Sequence, residues 1–287
     1  MKQRIEYGAG ASRMIIAAVY ALAIVAGILV FRLSITHFSL SEIVALLIAD
    51  MAATVVVWIF DLVFENVSVY DPYWSVAPPV MFTAFAIYLG YLTLPGVLLL
   101  VAVWVWGIRL TGNWARSFKG LGHEDWRYSR YRRSLPKFAF ELTHFFGLVM
   151  MPTLLVFACM VPGFKLMAAG EPAGLAAWPG FAMCLAAAAV QFLADGQSYR
   201  FRQAHPGQVC SVGLWANGRH PNYFGEILMW WGVWVMYASL RGIDWLMLAP
   251  FAMTDLFLFV SIPMMERRQL ANKSEYAAYR KRTRLFI

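Results

Sequence analysis

The chain has 287 residues, of which 61% are hydrophobic and only 14% are charged, and its formal net charge is +8. Soluble domains carry about 25% charged residues, so this composition excludes an ordinary soluble domain. Apolar runs of the length needed to cross about 30 Å of hydrocarbon recur along the sequence. The composition therefore predicts a polytopic membrane protein.

The apolar runs define the predicted elements in chain order. They comprise residues 12–31, 41–64, 77–94, 96–111, 139–161, 174–195, 225–240 and 244–264. The runs are continuous in hydrophobicity rather than alternating, which favours helices over a transmembrane barrel. The third and fourth runs, and likewise the last two, have very short connections, so each pair is a tight hairpin or contains a partly re-entrant member. We predict an all-α transmembrane bundle of seven to eight spans.

Lysine and arginine are concentrated in four stretches that an eight-span topology places on one side of the membrane. The stretches are Lys2–Arg13, Arg109–Lys137, Arg200–Arg219 and Arg267–Arg284. Because cytoplasmic segments of membrane proteins are enriched in these residues, both termini are predicted to be cytoplasmic. No internal repeat or low-complexity tract interrupts the chain, so residues 1–287 are predicted to form a single membrane domain.

Three aspartates, Asp50, Asp61 and Asp255, lie within or near predicted spans. A carboxylate is costly in hydrocarbon, so these side chains are not expected to face lipid. Each is predicted to form a hydrogen bond to a neighbouring helix.

A run of polar residues, Leu214–Glu226, lies between two apolar runs. Ionisable and amide side chains at a membrane boundary are costly and mark functional sites. If a helix begins near Pro221, Asn222 and Glu226 lie four residues apart on one helical face. The free backbone N–H groups at such a helix start favour an anion. This run is therefore the main candidate site.

Two further polar clusters lie at the ends of apolar runs in the last third of the chain. One surrounds Asp195, and the other combines Glu266–Arg268 with Glu275–Arg282. Arg219 and His220, directly before the expected helix start, are candidate phosphate contacts because arginine binds phosphate in a bidentate manner. The three clusters can therefore converge on one pocket.

Sequence signatures of several common enzyme sites are missing. The chain contains no G-x-G-x-x-G after a strand, no Walker A pattern, no H-E-x-x-H and no G-x-S-x-G. Three cysteines and five histidines show no metal-type spacing, so we predict no metal site and no disulfide framework. The sequence indicates no nucleic-acid partner and no obligate protein partner; the expected partner is the lipid bilayer.

Several segments together resemble the steroid 5α-reductase superfamily, and most closely its bacterial branch, formerly a domain of unknown function. They are Asn66–Ser75, Glu124–Tyr128, Asp195–Phe201, Gly213–Gly232 and Glu275–Tyr279. The string Arg219–Glu226 is the most specific of these segments. The resemblance covers the chain from roughly residue 60 to its end.

The resemblance implies an NADPH-dependent membrane reductase acting on the Δ4 double bond of 3-oxo steroids or on a similar apolar, steroid-like enone lipid. It also implies a bacterial inner-membrane protein whose cofactor site faces the cytoplasm. Residues 190–287 are expected to form most of the cofactor site, and helices within 41–161 most of the substrate pocket. The cofactor contacts carried over by motif are Asp195, Arg219, His220, Asn222, Tyr223 and Glu226.

In that family, hydride passes from the nicotinamide to the β-carbon of the enone while an acid hydrogen-bonds the ketone oxygen and stabilises the developing enolate. The steroid enzymes use a tyrosine and the glutamate of a Glu-x-Pro motif, which this chain lacks. Candidates for the equivalent roles are Glu65, Tyr70, Asp71, Tyr73 and Trp106. Two of them have a simpler interpretation, since Glu65 suits a solvated helix end and Asp71 suits a turn before proline.

Basic residues near other helix ends are further candidates for cofactor phosphates. Arg109 closes an apolar run, and Asn113 and Arg116 follow on the same helical face at spacings of four and three. Positive-inside topology explains these residues equally well. The remaining cofactor-binding candidates are Arg267, Arg268 and Tyr276.

Two other functions stay open on the residues alone. Isoprenylcysteine and phospholipid methyltransferases carry an Arg-His-Pro-x-Tyr-x-Gly string before an apolar hairpin, where it binds S-adenosylmethionine. Asn222 and Glu226 favour the reductase, whereas the core of the string does not separate the two classes. A non-enzymatic transporter is the third interpretation, although the sequence lacks the paired, broken helices typical of transporter repeats.

Overall fold

The computed structural model describes residues 8–170 and 175–287, and regular structure within these ranges is helical apart from one isolated bridge between Gly218 and Arg284. The predicted all-α fold is therefore confirmed. The first half contains α1 (Ala9–Thr36), α2 (Glu42–Phe64), a 3-10 turn (Val67–Val69), α3 (Tyr73–Leu89), α4 (Leu94–Ser117), α5 (Trp126–Ser134), α6 (Lys137–Leu142), a π-helical stretch (Thr143–Met150) and α7 (Met151–Ala168).

The second half begins with another short 3-10 turn and ends with two helices that carry the C-terminal basic residues. Its elements are the turn Leu175–Ala177, α8 (Trp178–Ala204), α9 (Leu214–Asn217), α10 (Pro221–Arg241), the turn Trp245–Met247, α11 (Leu248–Asp255), a π-helical stretch (Leu256–Ser261), α12 (Ile262–Asn272) and α13 (Tyr276–Arg282). The connection between α10 and the next turn is very short, as predicted.

Six helical stretches in the described ranges are long and apolar enough to cross a membrane, so the chain is an integral membrane protein. They are α1, α2, α4, Lys137–Ala168, Leu175–Ala204 and Trp245–Asn272. The two other predicted apolar runs also form helices, α3 and α10. The number of spans depends on whether α3 and α10 cross the bilayer, so seven to eight spans stay a prediction.

Several helices continue beyond the predicted ends of their apolar runs, and in α4 and α8 the extension changes the position of a candidate residue. α4 passes Arg109 and ends at Ser117, and α8 passes Asp195 and ends at Ala204. The added residues are mostly polar but include good helix formers such as Arg, Gln and Ala, so hydropathy underestimates the helix length. Arg109 and Asp195 consequently lie inside helices rather than at their ends.

The described residues divide into two compact units. The first unit contains residues 8–84 and 110–158, and the second contains residues 85–109, 159–170 and 175–287. The range expected to form most of the cofactor site, 190–287, therefore belongs to the second unit.

Buried hydrogen bonds join the helices of the first unit. The Tyr73 hydroxyl of α3 donates to Asp50 Oδ1 of α2 at 2.7 Å, and Asp61 Oδ2 of α2 lies 3.1 Å from Nε2 of His144 in the π-helical stretch. In hydrocarbon, polar groups must be satisfied within the protein, which explains these pairings. The predicted hydrogen bonds of Asp50 and Asp61 to other helices are confirmed, whereas Asp255, for which the same was predicted, is exposed.

In the second unit, α8 and α10 pack closely at positions occupied by glycine. A Cβ atom on Gly180 would lie 2.5 Å from the backbone nitrogen of Met236, and one on Gly225 would lie 2.4 Å from Cγ of Gln191. Since the early part of α8 meets the late part of α10, the two helices are antiparallel. Small residues at such contacts let helix backbones approach each other.

Gly180→Ala should therefore lower the thermal stability of the detergent-solubilised protein. The added methyl group meets the α10 backbone, which has no side-chain rotamer to change, and such overpacking costs about 1–3 kcal/mol. Gly196→Ala is the matched control in α8, because a Cβ there meets no atom within 4 Å. We expect it to be neutral or slightly stabilising, since alanine is the better helix former. Equal melting temperatures for the two variants would contradict the packing described for α8 and α10.

Candidate functional site

Glu226 is buried near the start of α10, with only 3% of its surface exposed. The helix begins at Pro221, so Asn222 and Glu226 lie on one face as predicted. The Glu226 carboxylate accepts hydrogen bonds from Trp106 Nε1 at 3.0 Å, Gln191 Nε2 at 2.7 Å and Trp230 Nε1 at 3.1 Å. Three donors from three helices therefore hold this carboxylate in one position.

Gln191 connects Glu226 to a largely buried ion pair. The Gln191 Oε1 atom accepts from Arg109 Nη2 at 2.7 Å while its Nε2 atom donates to Glu226. The partners on both sides determine the orientation of this amide. Arg109 also pairs with Asp195, with 2.7 Å between Nη1 and Oδ2 and side chains only 9% and 14% exposed. We refer to Trp106, Arg109, Gln191, Asp195, Glu226 and Trp230 as the Glu226 network.

Within the described part of the chain, the Glu226 network leaves two hydrogen-bonding positions open. A carboxylate offers about four acceptor positions, and the three indole and amide donors occupy three of those on Glu226. Arg109 Nε is buried and has no hydrogen-bond partner among the described residues. One acceptor position and one donor of the network are therefore without a partner among the described residues.

Arg219 and His220 both contact acidic or backbone groups of the C-terminal part of the chain. Arg219 Nε lies 2.7 Å from Glu266 Oε1, and His220 Nε2 lies 3.2 Å from the same oxygen. Arg219 Nη1 also donates to the backbone carbonyls of Thr283 and Arg280 at 2.5 and 3.2 Å. Burial lowers the pKa of His220 below its ordinary value, although the contact with Glu266 opposes this effect. These two residues thus join the start of α10 to α12 and the C-terminal segment.

The remaining candidates of the second unit differ in exposure. Tyr223 is half-buried, and its ring stacks on His220 at 5.4 Å and lies 5.0 Å from Phe257. Asn222 is also half-buried, and its backbone carbonyl accepts a long hydrogen bond from Gln191. Tyr276 is 4% exposed and packs on Tyr279, whereas Arg267 and Arg268 are exposed on α12. The second unit therefore brings residues of all three predicted polar clusters together near the start of α10.

Four of the five catalytic candidates lie in the first unit, and two of these are buried tyrosines. Tyr73 donates to Asp50, as described above, and the Tyr70 hydroxyl lies 2.8 Å from the hydroxyl of Thr153. The two tyrosine rings are 5.5 Å apart. Tyr73 is thus the one candidate of this pair whose hydroxyl is paired with a carboxyl group.

Asp71 and Glu65 are held by different contacts in the same unit. The Tyr128 hydroxyl donates to Asp71 Oδ1 at 2.5 Å, and Arg127 Nη2 lies 3.4 Å from the same atom. Burial raises the pKa of Asp71 to about 6 despite both contacts. Glu65 is exposed at the C-terminal end of α2, as expected for a helix end, and its carbonyl accepts from Arg132 at 3.3 Å.

Asn113 and Arg116, two of the cofactor candidates, contact each other. The Arg116 Nη2 atom donates to Asn113 Oδ1 at 2.9 Å along α4. The predicted spacing on one helical face is confirmed, while a role in phosphate binding stays a prediction.

Three residues with important contacts were not among the predicted site residues. Gln191 and Asp50 are polar residues inside apolar runs, which is a signal visible in the sequence. Glu266 was noted only as part of a cluster, and nothing in the sequence indicates that it pairs with Arg219 and His220. That contact depends on tertiary structure, because 46 residues separate Glu266 from His220.

The fold and contacts described above define a helical integral membrane protein with a buried polar network in its second unit. Residues 57–283 match the family described as protein of unknown function, DUF1295, and the chain belongs to this family. An uncharacterized protein of Schizosaccharomyces pombe is 27% identical over 232 residues, which cover 70% of this chain and 67% of that protein. No solved structure matches the chain. The family match includes the whole Glu226 network but not Asp50.

Trp230→Phe should destabilise the protein because it removes the indole N–H that donates to Glu226 Oε1. Leaving a buried acceptor without its donor costs about 1–3 kcal/mol. Trp234→Phe is the matched control on α10, since the buried Trp234 Nε1 has no hydrogen-bond partner among the described residues. Thermal unfolding of both variants should show the larger loss for Trp230→Phe. An equal or larger loss for Trp234→Phe would show that indole volume, not the hydrogen bond, determines stability here.

The pKa of Asp71 predicts a dependence of stability on pH. Between pH 3.8 and about pH 6, the folded protein keeps the Asp71 proton that the unfolded chain has lost. The resulting stabilisation of the folded state is therefore fully present below pH 3.8 and is lost as the pH rises through about 6. The decrease is at most about 3 kcal/mol. Asp71→Asn should flatten the dependence of the melting temperature on pH between pH 4 and pH 8, whereas Asp255→Asn, which alters an exposed aspartate outside this cluster, should leave the slope in place. An unchanged slope in Asp71→Asn would contradict the raised pKa.

Proposed function

We propose that the protein is an NADPH-dependent membrane reductase that reduces the carbon–carbon double bond of an apolar enone, with Δ4 3-oxo steroids as the reference substrates. The observation that carries the proposal is the Glu226 network. It lies on the segment that resembles the steroid 5α-reductase superfamily. It also combines a positioned carboxylate with open hydrogen-bonding capacity, which a merely structural network does not need.

The open positions of the network fit the nicotinamide end of NADPH. A carboxamide has an N–H donor and a carbonyl acceptor, which match the open acceptor on Glu226 and the open donor at Arg109 Nε. The carboxyl groups of Asp195 and Glu226 offset the single positive charge of Arg109. The network therefore suits a neutral carboxamide better than a negatively charged phosphate. When bound, NADPH supplies a hydride to the β-carbon of the enone. We assign the phosphates to the exposed Arg267 and Arg268 instead.

Tyr73 is the best candidate for the acid that polarises the ketone. Its hydroxyl pairs with Asp50 at 2.7 Å. When Asp50 carries a proton and donates it to the Tyr73 oxygen, the Tyr73 proton is available to the ketone oxygen. A donor held in this way stabilises the enolate that forms as the β-carbon is reduced. A proton from solvent then adds to the α-carbon and completes the reduction. Asp50 is then a positioning residue, whereas Glu65, Tyr70 and Asp71 serve structural contacts.

We also propose that the substrate and NADPH reach the protein from different sides. The substrate is apolar and enters from the bilayer, since the chain is an integral membrane protein. The four basic stretches favour the cytoplasm for the side that binds NADPH, and the resemblance to the bacterial branch of the steroid 5α-reductase superfamily implies a bacterial membrane. Because the inner membrane borders the bacterial cytoplasm, we place the protein there.

Anaerobic NADPH oxidation by the purified protein with a panel of enones, including testosterone and progesterone, tests this function. We expect at least one enone to accelerate oxidation. Glu226→Gln should weaken NADPH binding about tenfold, because one charged acceptor is lost, whereas Glu42→Gln, an acidic residue at the start of α2, should not. Tyr73→Phe should retain NADPH binding but lower the rate about 100-fold or more, and Tyr91→Phe is its control because the Tyr91 side chain is exposed.

The same preparation separates the other functions. Thermal stabilisation by S-adenosylmethionine instead of NADPH would indicate a methyltransferase. Transport of the enone into vesicles without NADPH oxidation would indicate a transporter. If no enone accelerates oxidation and Glu226→Gln leaves NADPH binding unchanged, the reductase proposal is wrong.

A further inference from the structure

The first unit contains a polar cavity of about 440 Å³ between the end of α2, α5 and the start of α6. Its polar lining residues are Asp61, Glu65, Arg132, Lys137, Glu141 and His144. Both α2 and Lys137–Ala168 are candidate membrane-spanning helices. Since the ends of these two helices meet at the cavity, it lies near a boundary between membrane and water, where lipid headgroups are found.

The inner part of the cavity is formed by a buried pair, Asp61 and His144. They are 1% and 0% exposed, and 3.1 Å separates Asp61 Oδ2 from His144 Nε2. The second polar atom of each group, Asp61 Oδ1 and His144 Nδ1, is buried and has no hydrogen-bond partner among the described residues. Buried polar atoms without partners are rare in folded proteins and require an explanation, and a ligand in the cavity that both residues line is one such explanation.

Glu141 adds a third open atom to the cavity. Its Oε2 atom lies 3.5 Å from His144 Nδ1 and has no hydrogen-bond partner within the described ranges. Carboxylate oxygens only accept hydrogen bonds, whereas an ammonium group offers three N–H donors. No group of three metal-ligating side chains is found in the part of the chain that the structure describes. The two open carboxylate oxygens and the imidazole therefore suit an ammonium group.

A cationic group at the edge of the same cavity suits a phosphate. Lys137 is exposed at the start of α6, and its ammonium is a flexible point charge of the kind that binds phosphate. Arg132 also lines the cavity, but it pairs with Glu124 at 2.8 Å and stacks over Phe140 at 4.4 Å. Lys137 is consequently the main anion contact, although the exposed Glu65 also lines the cavity.

We infer that this cavity binds a phosphoethanolamine group, with its ammonium at Asp61, Glu141 and His144 and its phosphate at Lys137. The group can come from a lipid headgroup or from a soluble phosphoethanolamine ester. The inference does not depend on the reductase proposal, because it uses no residue of the Glu226 network and no residue of the Tyr73 pair.

Thermal stability and native mass spectrometry of the full-length protein in detergent test this site. The probes are phosphatidylethanolamine, phosphatidylcholine, phosphatidylglycerol and soluble glycerophosphoethanolamine. We expect phosphatidylethanolamine to raise the melting temperature and to be retained at least about tenfold better than phosphatidylcholine, whose trimethylated nitrogen has no N–H donor. An effect of the lipid alone supports a headgroup of the bilayer, and an equal effect of glycerophosphoethanolamine supports a soluble source.

Two variants test whether the lipid binds at this cavity. Asp61→Asn and Glu141→Gln should each reduce retention about tenfold or more, because each removes a charged acceptor. Glu141 is partly exposed, so its variant remains informative even if Asp61→Asn fails to fold. Glu42→Gln, which makes the same charge change at the other end of α2, should retain the lipid. Equal stabilisation by all three lipids, or undiminished retention by Glu141→Gln, overturns the inference.

Discussion

The contact between Gly225 of α10 and Gln191 of α8 is the constraint on which the site of the second unit depends. A Cβ atom at position 225 would lie 2.4 Å from Gln191 Cγ, so only glycine allows this approach. The approach places the Gln191 amide between Glu226 and Arg109. Without the amide, a buried carboxylate and a buried guanidinium would each lose a partner, and such losses are costly where water is absent. The close packing of α8 against α10 and the hydrogen bonds of the Glu226 network therefore depend on each other.

Each unit combines carboxylates that are held by hydrogen bonds with buried polar atoms that have no hydrogen-bond partner among the described residues. In the second unit, the carboxylates of Glu226 and Glu266 are surrounded by donors from several segments. In the first unit, Asp61, Glu141 and His144 each keep an open atom beside a cavity. A fully paired group rigidifies a fold, whereas an open one adds interaction capacity for a ligand. Both proposals assign a ligand to such open atoms, at Arg109 Nε in the second unit and at Asp61, Glu141 and His144 in the first.

Much of the fold was predictable because hydrophobic length and helix-start signals act locally. Each predicted apolar run is mostly helical where the structure describes it, and the proline at position 221 begins α10. The hydrogen bonds of Asp50 and Asp61 to other helices followed from the cost of a carboxylate in hydrocarbon. Prediction was weaker at the ends of α4 and α8, since helices continue where hydropathy falls. It did not identify the partners of Arg219 and His220, because Glu266 and the C-terminal segment are distant in sequence.

The sequence alone determined that this is a helical membrane protein, where its apolar helices lie, and that Asn222 and Glu226 share one helical face. These properties depend on composition and on spacings of a few residues, which the chain carries locally. Only the tertiary structure decided which polar groups are paired and which stay open. It paired Arg219 with Glu266, joined Arg109 to Glu226 through Gln191, and left Asp61 and Glu141 with open oxygens. The physical reason is that hydrogen bonds are made over a few ångströms, between side chains that only the packing of distant helices brings together.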